Sequence, residues 1–468
     1  MNADAVAAEP RPSKAAATFE ALSGFVREAL RHAGTQGVLA VTVPAPVARV
    51  EAPLRALRRG PCWVFAGDGP HVSALGVARI ARPRGEGRFE QARAACDEML
   101  GTVVNVVHED AFALPLRVFA GFSFAPGTAD AAPWEPFGDG LVTLPRWTYA
   151  VEHGRAGLTL AIDLRDGVDE RLVLCEFEAV FAAIEEASRV GTASGRAPSV
   201  VRTEPLERSR WNRAVEALRA AIERRDLSKV VVARRTVLTT THDIEALEVL
   251  GRLDEARSHS TRFLVRAGSA SFVGASPEHL FLLRGTKLST EALAGSIAAD
   301  AEGGVERILS SAKDREEHRL VVTHLLERLA PLCTRIDAPD SPQVRRLPTV
   351  VHLRTPIDAE LDERRHPLEV LAALHPTPAV GGVPTARAVP WILAHEAAPR
   401  GWYSAPLGWI DARGDAEFIV ALRCGLVQGG RAWLWAGAGI VAGSEAATEW
   451  DETALKLRPM LRALGAST

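Results

Sequence analysis

The stretch from Trp402 to Ala442 constrains the fold most. "YSAPLGWID", "EFIVALRCGLVQ" and "RAWLWAGAGIVAG" are apolar runs rich in β-branched and aromatic residues. Turn residues separate them, and together they read as antiparallel strands. A small-residue loop follows, then a helix full of carboxylates: "AGAGIVAGSEAATEWDETALK", residues 436–456. Glycines ahead of a helix often cradle phosphate. The spacing argues against that here. Gly437, Gly439 and Gly443 read G-x-G-x-x-x-G, and the loop ends Gly443-Ser444-Glu445 where a phosphate loop needs G-K-[ST]. The following helix carries Glu449, Glu452 and Lys456. Its glutamates would repel polyphosphate unless a cation intervened. A metal, or a small anion bridged by a metal, fits better.

The rest of the chain alternates similar elements. "GVLAVTVPAP", "CWVFAG", "RVFAGFSFAPG" and "GLTLAIDL" read as strands between about 37 and 165. "QARAACDEMLGTVV" and "LCEFEAVFAAIEEASRV" show helical periodicity. A stretch rich in Gly, Ser and Pro near 191–205 reads as a linker or long loop. Beyond it, "SRWNRAVEALRAAIERRD" is an amphipathic helix with Trp211, Val215, Leu218 and Ile222 on one face. "KVVVARRTVL", "TRFLVRA", "SFVGAS" and "HLFLLRG" read as strands, and 304–330 and "PLEVLAALH" as helices. The mix is α+β with long strands. Residues 1–15 are expected to be disordered, with 16–204 forming an N-terminal part and 205–465 the catalytic region.

Composition narrows the function. A net charge of -3 over 468 residues gives no footprint for nucleic acid. Cys62, Cys96, Cys175, Cys333 and Cys424 show no C-x-x-C spacing, so a structural zinc or a redox pair is not expected. No signal peptide and no apolar run of about 18 residues is visible, so the expectation is a cytoplasmic protein with no membrane partner.

Five constellations could carry chemistry. In "KDREEH", Asp314 and Glu317 share a helix face. In "EWDETALK", Glu449 and Glu452 repeat that spacing, with Lys456 one turn on. If the two helices face one another, four carboxylates converge and call for a cation. Oxygen ligands without His or Cys favour Mg²⁺ over zinc. The plainer reading is two solvated faces with ion pairs. Lys229 heads an apolar strand, and either snorkels to solvent or is buried and acts as a base. Glu278, in "GASPEHL", is a turn residue or a general acid whose pKa burial raises. "LHPTPAVGGVP" makes a rigid, shaped loop in which His375 and Thr377 either face a pocket or satisfy the backbone. Of the remaining single residues, Tyr403, His352 and Arg423, the arginine lies within an apolar strand and is expected to meet a carboxylate, structural or belonging to a substrate.

"LSKVVVAR", "GASPEHL", "LAGS", "KDREEH", "VVHLRT", "LHPTPAVGGVP", "RGWYSAPLGW", "FIVALRCG", "GAGIVAGSE" and "EWDETALK" occur in the order found in chorismate-utilising enzymes. Within that group the chain resembles isochorismate synthases, densely over 205–460 and more loosely over 60–205. The resemblance implies two antiparallel sheets stacked between helices, with the active site in the cleft between the halves. The stretch near 191–205 is then a crossing loop.

Carried over by motif, Glu317 and Glu452 would hold Mg²⁺, supported by Asp314 and Glu449. The backbone at Gly437 and Gly439 would bind a carboxylate of chorismate, helped by Tyr403 and Arg423. Lys456 would approach the metal-bound carboxylate. Gly295, Ser296, His352, His375, Thr377 and Ala379 would complete the binding site. Lys229 would activate water for attack at C2, and Glu278 would protonate the departing C4 hydroxyl. The implied activity is an isomerase acting as a monomer on chorismate and isochorismate, leaning to menaquinone supply over siderophore synthesis. Salicylate synthases, ammonia-using anthranilate or aminodeoxychorismate synthases, and a non-catalytic binding protein are the competing readings. Lys229 and the Ala379 loop favour the isochorismate version. Ile297 stands where the family commonly has Arg, which removes any salt bridge made there.

Overall fold

In the computed structural model the described residues are 18–56, 60–189, 199–205, 207–347 except 255–259, and 349–466. The expected disorder of 1–15 and residues 191–198 of the expected crossing loop at 191–205 lie outside them, while Val200–Pro205, expected as loop, is a strand paired with Lys229–Thr240. Among the described residues the strands form two sheets, one 13-stranded and one 10-stranded.

Alternation along the strands builds the layers. Trp63 and Phe65 point between the sheets, where they meet Phe119, Leu407 and Trp409 of the smaller sheet and Trp402 of the turn that leads into it. Val64 and Ala66, one residue out of phase, face the opposite side and pack with Val26, Phe177, Leu250 and Leu457. Those four lie on the helices Phe19–Arg31, Glu170–Arg189, Ala246–Asp254 and Ala446–Ala463. On the smaller sheet, Val118 and Ala120 pack with the helices Arg88–Leu100, Ala312–Leu329 and Pro367–Leu374. An aromatic layer therefore joins the sheets, and helices cover their outer faces.

The early and late parts of the chain share both sheets. Strand Cys62–Ala66 pairs antiparallel with Thr261–Ala267, and Arg117–Phe122 with Pro406–Asp411. The chain passes from the larger to the smaller sheet between Ala270–Ser276 and His279–Arg284. It returns between Ala416–Val420 and Cys424–Gln428. Glu278 and Arg423 sit on these two links.

Three local readings need correction. The sheets are not wholly antiparallel: Val38–Pro44 and Val103–Val107 pair in parallel. A long crossover permits this, because the intervening chain builds strands elsewhere. The expected helix over 304–330 is two helices, Gly304–Ser310 and Ala312–Leu329. Ser311 separates them in an extended conformation and accepts the Asp314 amide as N-cap. In "QARAACDEMLGTVV" the helix stops at Leu100, and the valines open the parallel strand. Among the described residues no helix is long and apolar enough to cross a membrane.

Tight packing between the sheets depends on Gly121, where a Cβ would overlap the buried Trp402 ring. The indole is also held by a 2.8 Å hydrogen bond to the Gly138 carbonyl. Gly121→Ala is therefore expected to cost ~1–3 kcal/mol through overpacking. Equilibrium urea unfolding would show a lowered midpoint with an unchanged slope, and an unmoved midpoint would contradict the packing described.

Candidate active site

The cleft is assembled from the strand Lys229–Thr240, the two links between the sheets, and the helices Ala312–Leu329 and Ala446–Ala463. Its cavity is lined by Glu278, Gly295, Ser296, Glu317, His352, Ala379, Arg423, Gly437, Gly439 and Lys456, with Pro277, Leu293, Val380 and Leu422 among the apolar contributors. The enclosed space is tight, about 60 Å³. A roomier cavity of about 560 Å³, by Arg146 and Glu176, holds none of these residues. Chemistry and not size selects the first.

The glycines are there for close approach. A Cβ on Gly439 would overlap Glu317 Oε1, and one on Gly437 would lie 3.2 Å from the Tyr403 hydroxyl. Their amides also face the open edge of the sheet. Val231 and Ala233 send their N–H groups away from the glycine strand, to Gly381 O and Glu396 Oε1, each at 2.8 Å. Val230 and Val232, paired with Ile440 and Ala438, therefore carry the ladder. Alternation turns the Gly437 and Gly439 N–H groups to the other edge, past the start of the neighbouring strand at Cys424. On that edge Lys456 donates to the Gly437 carbonyl at 2.9 Å. Gly295, with φ +72°, forms a bulge beside Asp314.

The two acidic helix faces meet, and neither is solvated. The Glu449 side chain is 1% exposed and bonded to Lys313 of the other helix. Glu452 pairs with Lys456 at 2.6 Å, and Glu317 with Lys229 at 2.9 Å. Lys229 is fully buried, which removes the snorkelling reading. Its ion pair is not aligned as a hydrogen bond. It sits one layer behind the cavity wall, reached through Glu317.

Burial would push the Glu317 carboxyl up, but Lys229, Lys456 and Lys313 outweigh it and hold the group below its ordinary range. Burial raises Asp314, with Glu317 adding like charge. Burial also raises Glu449, helped by Glu452. Like charges that raise one another suit a cation. The donors are all oxygens. Among the described residues no three metal-binding side chains converge. That does not conflict with magnesium, which takes one or two carboxylates and fills its remaining positions with waters and substrate.

Glu278 differs from these four. Burial, with Glu291 adding like charge, pushes its carboxyl up to about 8 despite Lys229, Arg423 and Lys456. It is a protonated acid at neutral pH. Arg423 follows its strand and does not lie within it; its backbone is left-handed, φ +49°. Of the expected carboxylate partners, structural or belonging to a substrate, no structural one pairs with Arg423 among the described residues. It instead donates to His352 Nε2 at 3.4 Å. His352 Nδ1 lies 3.1 Å from Gly295 O and 2.9 Å from Ser296 Oγ. Burial and the positive charge of Arg423 keep His352 neutral. Its proton is thus on Nδ1, and Nε2 accepts from the arginine.

Other expected residues lie further out. Tyr403 is buried behind Gly437 and stacks on Trp435. His375 does not line the cavity: its Nε2 lies 3.0 Å from Phe124 O, and burial pushes it down to about 3. Thr377 is likewise outside, with a buried hydroxyl that has no hydrogen-bond partner. Ile297 packs with Ile308, Val351 and Leu353, so apolar contact occupies the place of the family's arginine. Sequence reasoning missed Lys313. Its signal was a lysine four residues before Glu317 on the same face.

A family model described as "Chorismate binding enzyme" matches residues 58–465. The chain is 36% identical over 416 residues to the "Salicylate biosynthesis isochorismate synthase" of Pseudomonas aeruginosa, covering 87% of this chain and 86% of that one. It is 35% identical to "Isochorismate synthase MenF" of Bacillus subtilis, covering 74% of each. The solved structure of MenF, the menaquinone-specific isochorismate synthase from Escherichia coli, superposes with a TM-score of 0.77 at 25% identity, over 95% of this chain and 99% of that one.

The environment of Glu278 predicts that its carboxyl carries a proton at pH 6 and loses it as pH rises through about 8. Infrared difference spectra against Glu278→Gln would show the protonated-carboxyl band at pH 6. Absence of that band would refute the burial account.

Proposed function

The chain belongs to the chorismate binding enzymes, and from that premise we propose that it is an isomerase interconverting chorismate and isochorismate. One observation carries the reading: the cavity sets a protonated acid, Glu278, beside Arg423, a cation with no carboxylate of its own among the described residues. A dicarboxylate that loses a hydroxyl needs both.

Arg423 and the Gly437 and Gly439 amides bind a substrate carboxylate, with Tyr403 behind them. Lys456 approaches the other carboxylate. Mg²⁺, when bound, would be held by Glu317 and Glu452, with Asp314 and Glu449 behind, and would offset the charge of the ring carboxylate. Lys229, which must first give up the proton of its ion pair with Glu317, takes the proton from the water that attacks C2. Glu278 gives its proton to the C4 hydroxyl, which leaves as water while the double bonds shift. One water enters and one departs, so the net reaction is an isomerisation. Positioning with a general base and a general acid is sufficient physical means.

Two features support this version over ammonia use or pyruvate elimination: the buried lysine at 229, and the small apolar Ala379 on the cavity wall. The length match to the E. coli menaquinone-specific enzyme favours menaquinone supply. The name of the Pseudomonas relative points to salicylate instead. We take the protein to act as a cytoplasmic monomer, with neither nucleic acid nor membrane as partner.

Purified protein given chorismate and Mg²⁺ should form isochorismate without ammonia and lose that activity on chelation. Salicylate with pyruvate, or an ammonia-dependent amino product, would move the chain to another activity of the family. Lys229→Ala should abolish turnover while chorismate still binds in calorimetry; full activity would remove lysine as the base. Because Glu278 must arrive protonated, kcat/KM should fall as pH rises through about 8.

A further inference from the structure

Glu291 and Arg345 take no part in the reaction above, and neither lines the cavity. Glu291 lies on the strand Lys287–Ala298 of the smaller sheet, with its side chain 4% exposed. Both its oxygens are occupied: Arg345 Nη1 lies 2.7 Å from Oε1, and Arg354 Nε 2.5 Å from Oε2. Arg345 reaches across from Gln343–Arg346, a strand that pairs with Val350–Leu361 and not with the strand of Glu291. The same Nη1 also donates to the Pro277 carbonyl at 3.0 Å. That carbonyl precedes Glu278, on the link where the chain leaves one sheet for the other.

We infer that Arg345, anchored by Glu291, is a positioning residue for the general acid: it clamps the Pro277 carbonyl and so fixes where the Glu278 carboxyl points. The inference rests on the reading of Glu278 given above. The link needs such a clamp. Glu278 lies between two strands of different sheets. Among the described residues its own backbone is held by the Ser276 hydroxyl at its amide (3.3 Å) and the Val420 amide at its carbonyl (3.1 Å). A buried carboxylate held by two guanidiniums is rigid, because loss of either partner leaves an uncompensated charge. Arg345 passes that rigidity to the link. Glu291 has a second effect. The charged groups acting on Glu278 are Glu291, Lys229, Arg423 and Lys456, and Glu291 is the anion among them.

The test is steady-state kinetics over pH on wild type, Arg345→Met, Arg345→Lys, Glu291→Gln and Glu278→Gln, each checked for folding by circular dichroism. Arg345→Met should lower kcat about 10- to 100-fold, as for a misplaced reacting group, with KM for chorismate within about threefold. Arg345→Lys keeps a donor and should recover part of the rate. Glu291→Gln removes a like charge, so Glu278 gives up its proton more easily and the alkaline limb of kcat/KM moves to lower pH. If Arg345→Met does not fold, the lysine and glutamine variants decide. An unchanged kcat in the folded arginine variants, or an unmoved alkaline limb in Glu291→Gln, overturns the inference. Wild type that makes no isochorismate, or Glu278→Gln at full rate, would instead overturn the functional reading itself.

Discussion

The structure depends on charge balance in a place that excludes water. Asp314 and Glu317 lie on one of two adjoining helices and Glu449 and Glu452 on the other, joined by the Lys313–Glu449 pair. Such a cluster folds only if positive charge comes with it. Lys313, Lys456 and Lys229 each sit on one glutamate. Arg423 supplies a fourth cation at the cavity, so four anions face four cations. His352 and Glu278 stay uncharged at neutral pH and leave that balance alone. The proposed ligands preserve it, since a divalent cation and a dicarboxylate cancel one another. Either alone would unbalance the cleft, so metal and substrate favour each other's binding.

A second buried pair holds the frame around that charge. Arg400 and Glu396 are paired at 2.5 Å, with side chains 1% and 6% exposed. Arg400 also donates to the Val380 carbonyl at 2.7 Å and the Val231 carbonyl at 2.8 Å. Glu396 accepts the Ala233 amide. One ion pair thus ties the loop of Ala379 to the strand that begins at Lys229. It also occupies the outward-facing Val231 carbonyl and Ala233 amide, while Gly381 takes the Val231 amide. Those bonds set the phase of the strand, and the phase turns Gly437 and Gly439 toward the cavity.

Much of this was legible in the sequence. The period-two runs predicted the strands, and the spacing of Asp314 with Glu317 and Glu449 with Glu452 placed each pair on one helix face. What stayed hidden was long-range. Periodicity cannot tell that Val103–Val107 pairs in parallel with a strand some sixty residues earlier, or that early and late strands share both sheets. It favours reading Lys229 as snorkelling, because depth is set by the elements packed above the strand. Arg423 was expected to find a carboxylate, a fair rule for a buried arginine. Of the two alternatives, structural or belonging to a substrate, no structural carboxylate pairs with it among the described residues, and its place on a link at the cavity wall leaves the substrate. His375 sits in a motif that reaches the cavity only through Ala379 and Val380.

The two-sheet architecture explains why the acid and the base stand apart. Reaction across a ring asks for a proton acceptor on one side and a donor on the other. If both groups lay on one strand, their spacing would be tied to the pleat and their environments would be alike. Here Lys229 belongs to the larger sheet, where an anion, Glu317, is its neighbour. Glu278 belongs to the link that leaves that sheet, where the nearest anionic influence, Glu291, is already occupied by two arginines. The same burial therefore has opposite results. It keeps an ion pair at the lysine, which must give up its proton before it can accept one from water, and a neutral carboxylic acid at the glutamate, which is the state a proton donor requires.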